Sequence, residues 1–392
     1  MTDRTGQISL LQRWIKHETC SPLAYGYLIC SMIARIARYT GLYITGKTPP
    51  QQPYSIGASA AMLFPGIECL SIRQYRSFMR TAVGLVLWRA GLGSEAKRAK
   101  WATEVKGEGW SGVWIPFQDQ LSSDKGKVNG LSAKPFNPKD VPVGKGCDVV
   151  VLAIHGGGYI DGNALMFMSC FKNWMKSAQE HQSVRIGVLS IEYGLSPENP
   201  YPYAMDEIIA AFRDLVKLHG VDPKQIVLLG DSAGGNICLG TSLKLRDSFS
   251  DLGAPAGQIL ICPWVRDPEP LESSMFDIVS AIGCEIYSEA YTQLRPEIAM
   301  CPYTSPCSGP SVSGLPPMLV FIGGVEILRP SLERFVKRVQ GEGGEVRAII
   351  AEGRSHNYFL LDDISTKQDR EEAYREMSEF ALKVHQQFTK SK

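Results

Sequence analysis

A serine in the middle of the chain has the surroundings of an activated nucleophile. Ser232 is the centre of a G-D-S-A-G run that follows the apolar segment Ile226–Leu229 and precedes a segment of helical spacing. A strand that enters a helix through a tight turn holds such a serine in a strained conformation, and the flanking glycines allow neighbouring backbone to approach. Its hydroxyl then lies at the positive end of a helix. The pattern predicts that Ser232 is a nucleophile.

A serine hydroxyl needs a base to take its proton, and the sequence offers one downstream. His356 follows the last predicted strand, whereas the other histidine beyond Ser232, His385, falls in an amphipathic segment. Glu326 follows the preceding predicted strand, 94 residues after Ser232 and 30 before His356. Because they follow strand ends, both residues are expected at the sheet edge that carries the serine. The alternatives are a loop histidine bonded to backbone and a glutamate that caps the following helix.

Three consecutive glycines predict backbone donors for a developing negative charge. They form residues 156–158, here called the glycine loop, in an H-G-G-G-Y run that starts at His155. Gly156 and Gly157, together with Ala233, are predicted to form an oxyanion hole, because amides without a neighbouring Cβ can point at one oxygen. A nucleotide-binding loop is disfavoured, since G-x-G-x-x-G with its acidic partner and the P-loop lysine are missing. His155 is expected to be structural.

The elements that position these residues alternate short apolar runs with amphipathic segments from about residue 147 onward. This alternation predicts a mostly parallel sheet with helices on its faces. The predicted strands are Trp110–Phe117 at the edge, Asp148–Ile154, Val184–Tyr193, Ile226–Leu229, Gln258–Ile261, Met318–Ile322 and Val346–Ala351. The predicted helices are Asn163–Gln182, Met205–His219, one from about Asn236, one from about Ser331, and Gln368–Phe388.

The composition excludes several classes of protein. The 392 residues are 44% hydrophobic and 21% charged, and 41 basic against 40 acidic residues give a net charge of +1. Such a balance lacks the excess of basic residues that binding to the nucleic-acid backbone requires. Ten cysteines without a C-x-x-C pair predict neither a disulfide framework nor a zinc site. With neither a signal-peptide core nor an N-x-S/T sequon, the expectation is an intracellular, cytoplasmic protein.

The N-terminal region lacks the strand–helix alternation. Residues 1–105 are predicted to form a helical cap region, including a helix at 72–90, and residues 106–392 the catalytic domain, with a polar loop at 118–145. An irregular insertion at about 266–315 is expected to add to the cap, since it follows a core strand. No acidic residue occurs between Glu18 and Glu68, which leaves peripheral membrane contact open. We favour a helix packed over an apolar pocket, because this segment is weakly basic, and no run is long enough to span a bilayer.

Five ordered motifs resemble the hormone-sensitive-lipase-like branch of the α/β-hydrolases, which includes arylacetamide deacetylase. They are the H-G-G-G-Y run, Tyr193-Gly194-Leu195-Ser196-Pro197-Glu198, the G-D-S-A-G run, Pro263-Trp264 and His356. The resemblance covers roughly residues 110–390, and the first hundred residues look like those of fungal members. It implies an α/β-hydrolase fold, with a mostly parallel eight-stranded sheet, a helical cap and Ser232, Glu326 and His356 as a catalytic triad. The family usually has aspartate where this chain has Glu326.

Together these features predict a serine hydrolase that cleaves a carboxylic ester through an acyl-enzyme, without a metal or organic cofactor. Tyr159 and Trp264 near the predicted site indicate an apolar or aromatic small-molecule substrate. Acyl transfer, or cleavage of a thioester, lactone or amide in a biosynthetic pathway, is an alternative with the same residues. A small-molecule receptor that kept the fold is a further alternative, disfavoured because Ser232 and His356 are both present. The oligomeric state is left open.

Overall fold

A central eight-stranded sheet organises the molecule. The computed structural model describes residues 22–49, 52–54, 58, 70–77, 79–80, 102–117, 143–360 and 365–390. The strands are β1 Thr103–Gly107, β2 Trp110–Ile115, β3 Val149–Ile154, β4 Ile186–Ile191, β5 Ile226–Asp231, β6 Gly257–Ile261, β7 Met318–Gly323 and β8 Val346–Ala351. Their order is β1-β2-β4-β3-β5-β6-β7-β8, and only the pairings of β2 with β1 and with β4 are antiparallel. The predicted mostly parallel, eight-stranded sheet is therefore confirmed.

Helices cover both faces of this sheet. They are α1 Pro22–Ile44, α2 Met168–Gln182, α3 Tyr203–Lys217, α4 Ser232–Ser248, α5 Ala281–Thr292, α6 Pro296–Ala299, α7 Arg329–Gly341 and α8 Lys367–Lys390. Short 3-10 turns occur at Pro223–Gln225, Ser250–Leu252 and Pro306–Ser308. None of the helices in the described ranges is both long and apolar enough to cross a bilayer.

The two faces of the sheet contribute to two separate hydrophobic clusters. Val150 and Leu152 of β3 pack with α3, α4 and α7, whereas Val149 and Val151 pack with α2 and α8. Successive side chains of a strand point to opposite faces, so a strand buried on both sides has an uninterrupted apolar sequence. This is why the central strands were recognisable as apolar runs.

Some element boundaries differ from the prediction. Helix α4 begins at Ser232 and not near Asn236, because the glycines and serine of its first turn carry no helical apolar pattern. Trp110–Phe117 was predicted as the edge strand, but β2 is the second strand and β1 forms the edge. β1 crosses the predicted domain boundary at residue 105. Most of the polar loop predicted at 118–145 lies outside the described residues.

The insertion between β6 and β7 is more regular than predicted. It contains the twelve-residue helix α5, whose first turn is capped by a 2.9 Å hydrogen bond from the Gly283 amide to the Ser280 hydroxyl. Ile286 of α5 packs on Ile160, just beyond the glycine loop, together with Tyr75. Residues 72–77 and 79–80 are helical as predicted, and the rest of the predicted helix at 72–90 lies outside the described residues. The insertion and the N-terminal region therefore meet beside the glycine loop.

Candidate active site

Ser232 occupies the tight turn between β5 and α4. Its φ is +52°, in the left-handed region that residues with a side chain rarely adopt. A Cβ on Gly234 would collide with the carbonyl oxygen of Ile154, and one on Gly230 would lie 2.5 Å from the Gly234 backbone. The amide of Trp264 donates a 2.9 Å hydrogen bond to the Ser232 carbonyl oxygen. The predicted strained turn with flanking glycines is therefore confirmed.

The glycine loop lies beside this turn, but its amides are not equivalent. The amide of Gly156 donates a 2.7 Å hydrogen bond to Oδ1 of Asp231, so it is not available to an oxyanion. This removes Gly156 from the predicted set of donors. Gly157 has a φ of +103°, where a Cβ would also strike the backbone. Ala233 is buried in the first turn of α4, where amides have no acceptor within the helix. Gly157 and Ala233 remain the candidate donors.

His155 directly precedes the glycine loop, and Tyr193 holds it in place. Its ring stacks on Tyr193, with 4.2 Å between the ring centroids and 14° between the planes. The Tyr193 hydroxyl donates a 2.8 Å hydrogen bond to the His155 carbonyl oxygen. Burial lowers the pKa of His155 to about 4, so its ring is neutral near pH 7. These contacts agree with the structural role predicted for His155.

His356 and Glu326 form a buried pair. His356 lies in the turn after β8 and Glu326 in the turn between β7 and α7, and Nδ1 of the histidine is 2.7 Å from Oε2 of the glutamate. Only 3% and 0% of the two side chains are exposed. The second oxygen, Oε1, accepts a 2.7 Å hydrogen bond from the Gly323 amide. Helix α7 is capped at Leu328 without any side-chain bond, so the Glu326 carboxylate contacts the histidine and not the helix terminus.

The other ring nitrogen of His356 is open for proton transfer. Nε2 is buried and has no hydrogen-bond partner among the described residues. Burial lowers the pKa of His356, but the hydrogen bond and charge of Glu326, together with the charges of Asp277 and Asp231, outweigh burial and raise it. Three carboxyl groups thus favour the imidazolium that forms when this histidine accepts a proton.

Asp231 joins the serine, glycine and histidine turns. Besides the Gly156 amide, its carboxylate accepts a 2.7 Å hydrogen bond from Nδ2 of Asn357, the residue after His356. Burial raises the pKa of Asp231 to about 6. Sequence reasoning quoted Asp231 within the G-D-S-A-G run but gave it no function. Its position directly before the serine was the available clue.

The two predicted substrate contacts differ in accessibility. Tyr159 is only 1% exposed, and its ring stacks on Tyr291 of α5 with 3.8 Å between centroids. It therefore packs the glycine loop against α5 and offers almost no surface to a substrate. Trp264 is 6% exposed and borders a surface cavity of about 390 Å³ whose walls are built mainly by the insertion. Of the two residues, Trp264 is thus the better placed to contact a substrate.

One group of side chains has the composition of a metal site. Cys262, Glu326 and His356 bring potential ligand atoms within 4.8 Å of one another, and all three residues are buried. Two of these atoms already form the histidine–glutamate hydrogen bond, which an ion would have to replace. The arrangement therefore fits a proton-transfer pair better than a metal centre.

Comparisons with known proteins identify the family and the fold. Residues 151–360 match a protein family that is described as having the α/β hydrolase fold. An esterase of Acinetobacter venetianus is 27% identical over 242 residues, which cover 60% of this chain and 75% of that protein. Hormone-sensitive lipase of Mus musculus is 38% identical over 98 residues, 24% of this chain and 12% of that protein. The crystal structure of an esterase from the bacterial hormone-sensitive lipase family superposes with a TM-score of 0.63 at 22% identity, covering 85% of this chain and 99% of that one.

The chain belongs to the α/β-hydrolase fold family, since the matched residues make up more than half of it. Within this family it is a hormone-sensitive-lipase-like member, and thus a serine hydrolase of the carboxylesterase and lipase kind. The resemblance of its N-terminal hundred residues to fungal members stays a prediction.

Proposed function

We propose that the protein hydrolyses a carboxylic ester through a covalent intermediate on Ser232. The Ser232 hydroxyl attacks the acyl carbon while Nε2 of His356 takes its proton, and Glu326 holds the Nδ1–H tautomer in place. The alcohol leaves with the proton from His356. Water, deprotonated by the same nitrogen, then attacks the acyl-enzyme, and His356 returns this proton to the Ser232 oxygen as the carboxylic acid leaves. The buried His356–Glu326 pair with an open Nε2, beside a strained serine, is the observation that carries this proposal.

The negative charge that develops on the ester oxygen is stabilised by the amides of Gly157 and Ala233. Each amide lies in a stretch whose backbone is fixed before substrate arrives, so little reorganisation accompanies the reaction. Loss of one such donor typically lowers kcat by about 10²-fold or more. Asp231 supports this arrangement indirectly, because it holds the Gly156 amide next to the serine turn.

The substrate is an uncharged ester with an apolar or aromatic acyl group. Trp264 lies beside the nucleophile turn, since its amide donates a hydrogen bond to the Ser232 carbonyl oxygen. The ring centroids of Trp264 and Tyr287 are 6.4 Å apart, and the Tyr287 ring lies against Gly158. The wall of the cavity bordered by Trp264 contains four carboxyl groups and one guanidinium group, those of Asp267, Glu269, Glu285, Glu289 and Arg266. This excess of negative charge disfavours a negatively charged acyl group. Comparing p-nitrophenyl butyrate and phenylacetate with the hemisuccinate tests this, and a hemisuccinate cleaved as fast as the neutral esters would contradict it.

Trapping the intermediate tests the covalent mechanism. Rapid mixing with p-nitrophenyl acetate should give a burst of nitrophenol, and mass spectrometry of the quenched protein should place an acetyl group on Ser232. Adding alcohols or amines as acceptors separates hydrolysis from acyl transfer, because transfer would yield a new ester or amide as the main product. An acetyl group on another residue would overturn the assignment of the nucleophile.

A second proposed partner is an anionic membrane surface, which α1 would contact. One side of α1 packs on the protein through the buried Tyr39, while Ile29, Ile33 and Ile44 are more than half exposed. Arg38 is also exposed, and residues 22–49 contain no acidic side chain. Exposed aliphatic side chains on a helix that carries basic and no acidic residues favour the surface of anionic lipids.

Sedimentation with lipid vesicles tests this contact. We expect the protein to bind vesicles that contain phosphatidylglycerol more strongly than pure phosphatidylcholine, and Ile33→Glu to weaken that binding. Ile282→Glu, on the exposed side of the cap helix α5, is the matched control. Equal sedimentation of wild type and Ile33→Glu would contradict the proposal, as would self-association through α1 without lipid binding.

A further inference from the structure

A carboxylate from the cap insertion reaches the two turns that carry the histidine and its acid. Asp277 lies between β6 and α5 and is completely buried. Its Oδ1 accepts a 2.9 Å hydrogen bond from the amide of His356, and its Oδ2 accepts a 2.8 Å bond from the amide of Ile327, the residue after Glu326. A third amide, that of Ile278, donates to Oδ1 at 2.8 Å. All three donors are backbone groups of fixed geometry.

These bonds define the relative position of the two turns independently of the side-chain pair. His356 and Ile327 are 79 and 50 residues away from Asp277 in sequence, and they follow different strands. The Nδ1–Oε2 hydrogen bond connects the same turns through flexible side chains, whereas Asp277 connects them through their backbones. Positioning within a fraction of an ångström matters for proton transfer, so this second connection bears on the reaction itself.

The same segment is also tied to the N-terminal region. The carbonyl oxygen of Phe276 accepts a 3.0 Å hydrogen bond from Nε2 of Gln52. The ring of Phe276 meets that of Tyr39 of α1 edge to face, with centroids 6.4 Å apart. A chain of contacts thus runs from the N-terminal helix through Phe276 and Asp277 to the base of the reaction.

We propose that Asp277 is a positioning residue that couples the cap to the catalytic histidine. This inference rests on the proposed function, in which His356 is the base. Asp277 does not touch the substrate; it holds the His356 backbone and the Glu326 turn so that Nε2 faces the serine hydroxyl. Its negative charge adds to that of Glu326 in favouring the imidazolium.

The variant Asp277→Asn tests this role. An amide side chain has one acceptor oxygen, so one of the two turns loses its hydrogen bond and faces an N–H group instead. We expect kcat for p-nitrophenyl butyrate to fall about 10- to 100-fold per active site, with KM little changed. Active sites are counted with a fluorophosphonate probe. The acid limb of kcat/KM should move to lower pH, because His356 then faces Glu326 and Asp231 but loses the charge of Asp277.

A matched control separates positioning from simple destabilisation. Glu342 of the α7 C-terminus likewise accepts amides of the insertion, from Val312 and Ser313 at 2.8 and 3.0 Å, but lies away from the triad. Glu342→Gln should lower the melting temperature while kcat per active site and the pH profile stay at wild-type values. If the asparagine variant does not fold, Asp277→Ser repeats the test. It removes the carboxylate that bonds both turns and introduces no amide donor in its place.

The outcomes are distinct. If a folded Asp277 variant keeps kcat within about twofold of wild type and an unchanged acid limb, Asp277 is structural only and the inference is overturned. If neither variant folds while the Glu342 variant does, Asp277 serves folding and not positioning, which also overturns it. Wild-type protein that fails to label at Ser232 would instead contradict the proposed function.

Discussion

The Glu326 carboxylate lies 2.7 Å from Nδ1 of His356, although glutamate is one methylene longer than the aspartate usual in this family. The extra length is accommodated because Oε1 turns back to accept the Gly323 amide at 2.7 Å. A Cβ on Gly323 would lie 2.6 Å from the carbonyl oxygen of Ser355. A glycine at the end of β7 therefore allows the Glu326 turn to contact the turn that carries His356.

Replacing the acid should lower activity in a defined order. Glu326→Gln presents the imidazole with an amide that favours the wrong tautomer, an effect of about 10⁴ in kcat in a serine protease triad. Glu326→Asp keeps the charge and loses reach, so we expect a smaller loss. Steady-state kinetics of both variants measure this, with Glu333→Gln in a partly exposed ion pair on α7 as control. Full activity in Glu326→Gln would mean that the acid lies elsewhere.

The pH profile should report the environment of His356. Glu326, Asp277 and Asp231 together raise its pKa above the ordinary value of 6.5. The base must be neutral in the free enzyme, so kcat/KM should fall as the pH drops through a value above 6.5. Measuring kcat/KM from about pH 5 to about pH 9 gives this value directly. An acid limb with an apparent pKa below 6.5 would show that burial outweighs the carboxylates.

Arg76 connects the N-terminal region to the loops around Ile160 and Ser196, and we expect this contact to stabilise them. Its guanidinium donates to the carbonyl oxygens of Ile160 and Ser196 and forms two 2.9 Å bonds with the Glu198 carboxylate. Arg76→Ala leaves these carbonyls without that donor, and an unsatisfied buried acceptor costs about 1–3 kcal/mol. We expect a lower melting temperature and a lower kcat/KM.

Arg76→Lys should recover only part of this loss, since an ammonium group cannot span the same acceptors. Arg73→Ala, an exposed position of the same helical segment, serves as the control. Thermal melts and kinetics of Arg76→Ala that match wild type would show that the contact contributes nothing to the loops.

The sequence allowed the parallel sheet and the main site residues to be predicted for a physical reason. Strands β3 to β7 are buried on both faces and therefore have continuous apolar sequences. β1 was missed because Thr103–Gly107 contains one fully buried residue, Val105, between polar ones. Its pairing with β2, and not its own pattern, places it in the sheet.

The contacts that were missed depend on long-range packing. Asp277 lies in an insertion without a motif, and its three backbone donors are brought together only by the fold. The commitment of the Gly156 amide to Asp231 is likewise invisible in a run of equivalent glycines. Tyr159 looked like a substrate contact by its position, but the sequence does not show that Tyr291 covers its ring.

Turnover by Ser232→Ala tests the central claim most directly. The variant replaces only the hydroxyl, and Ser248→Ala at the exposed end of the same helix is the control. With short-chain p-nitrophenyl esters we predict that Ser232→Ala keeps the wild-type fold and melting behaviour but shows no hydrolysis above background, while Ser248→Ala retains full activity. Wild-type turnover in folded Ser232→Ala would contradict the account.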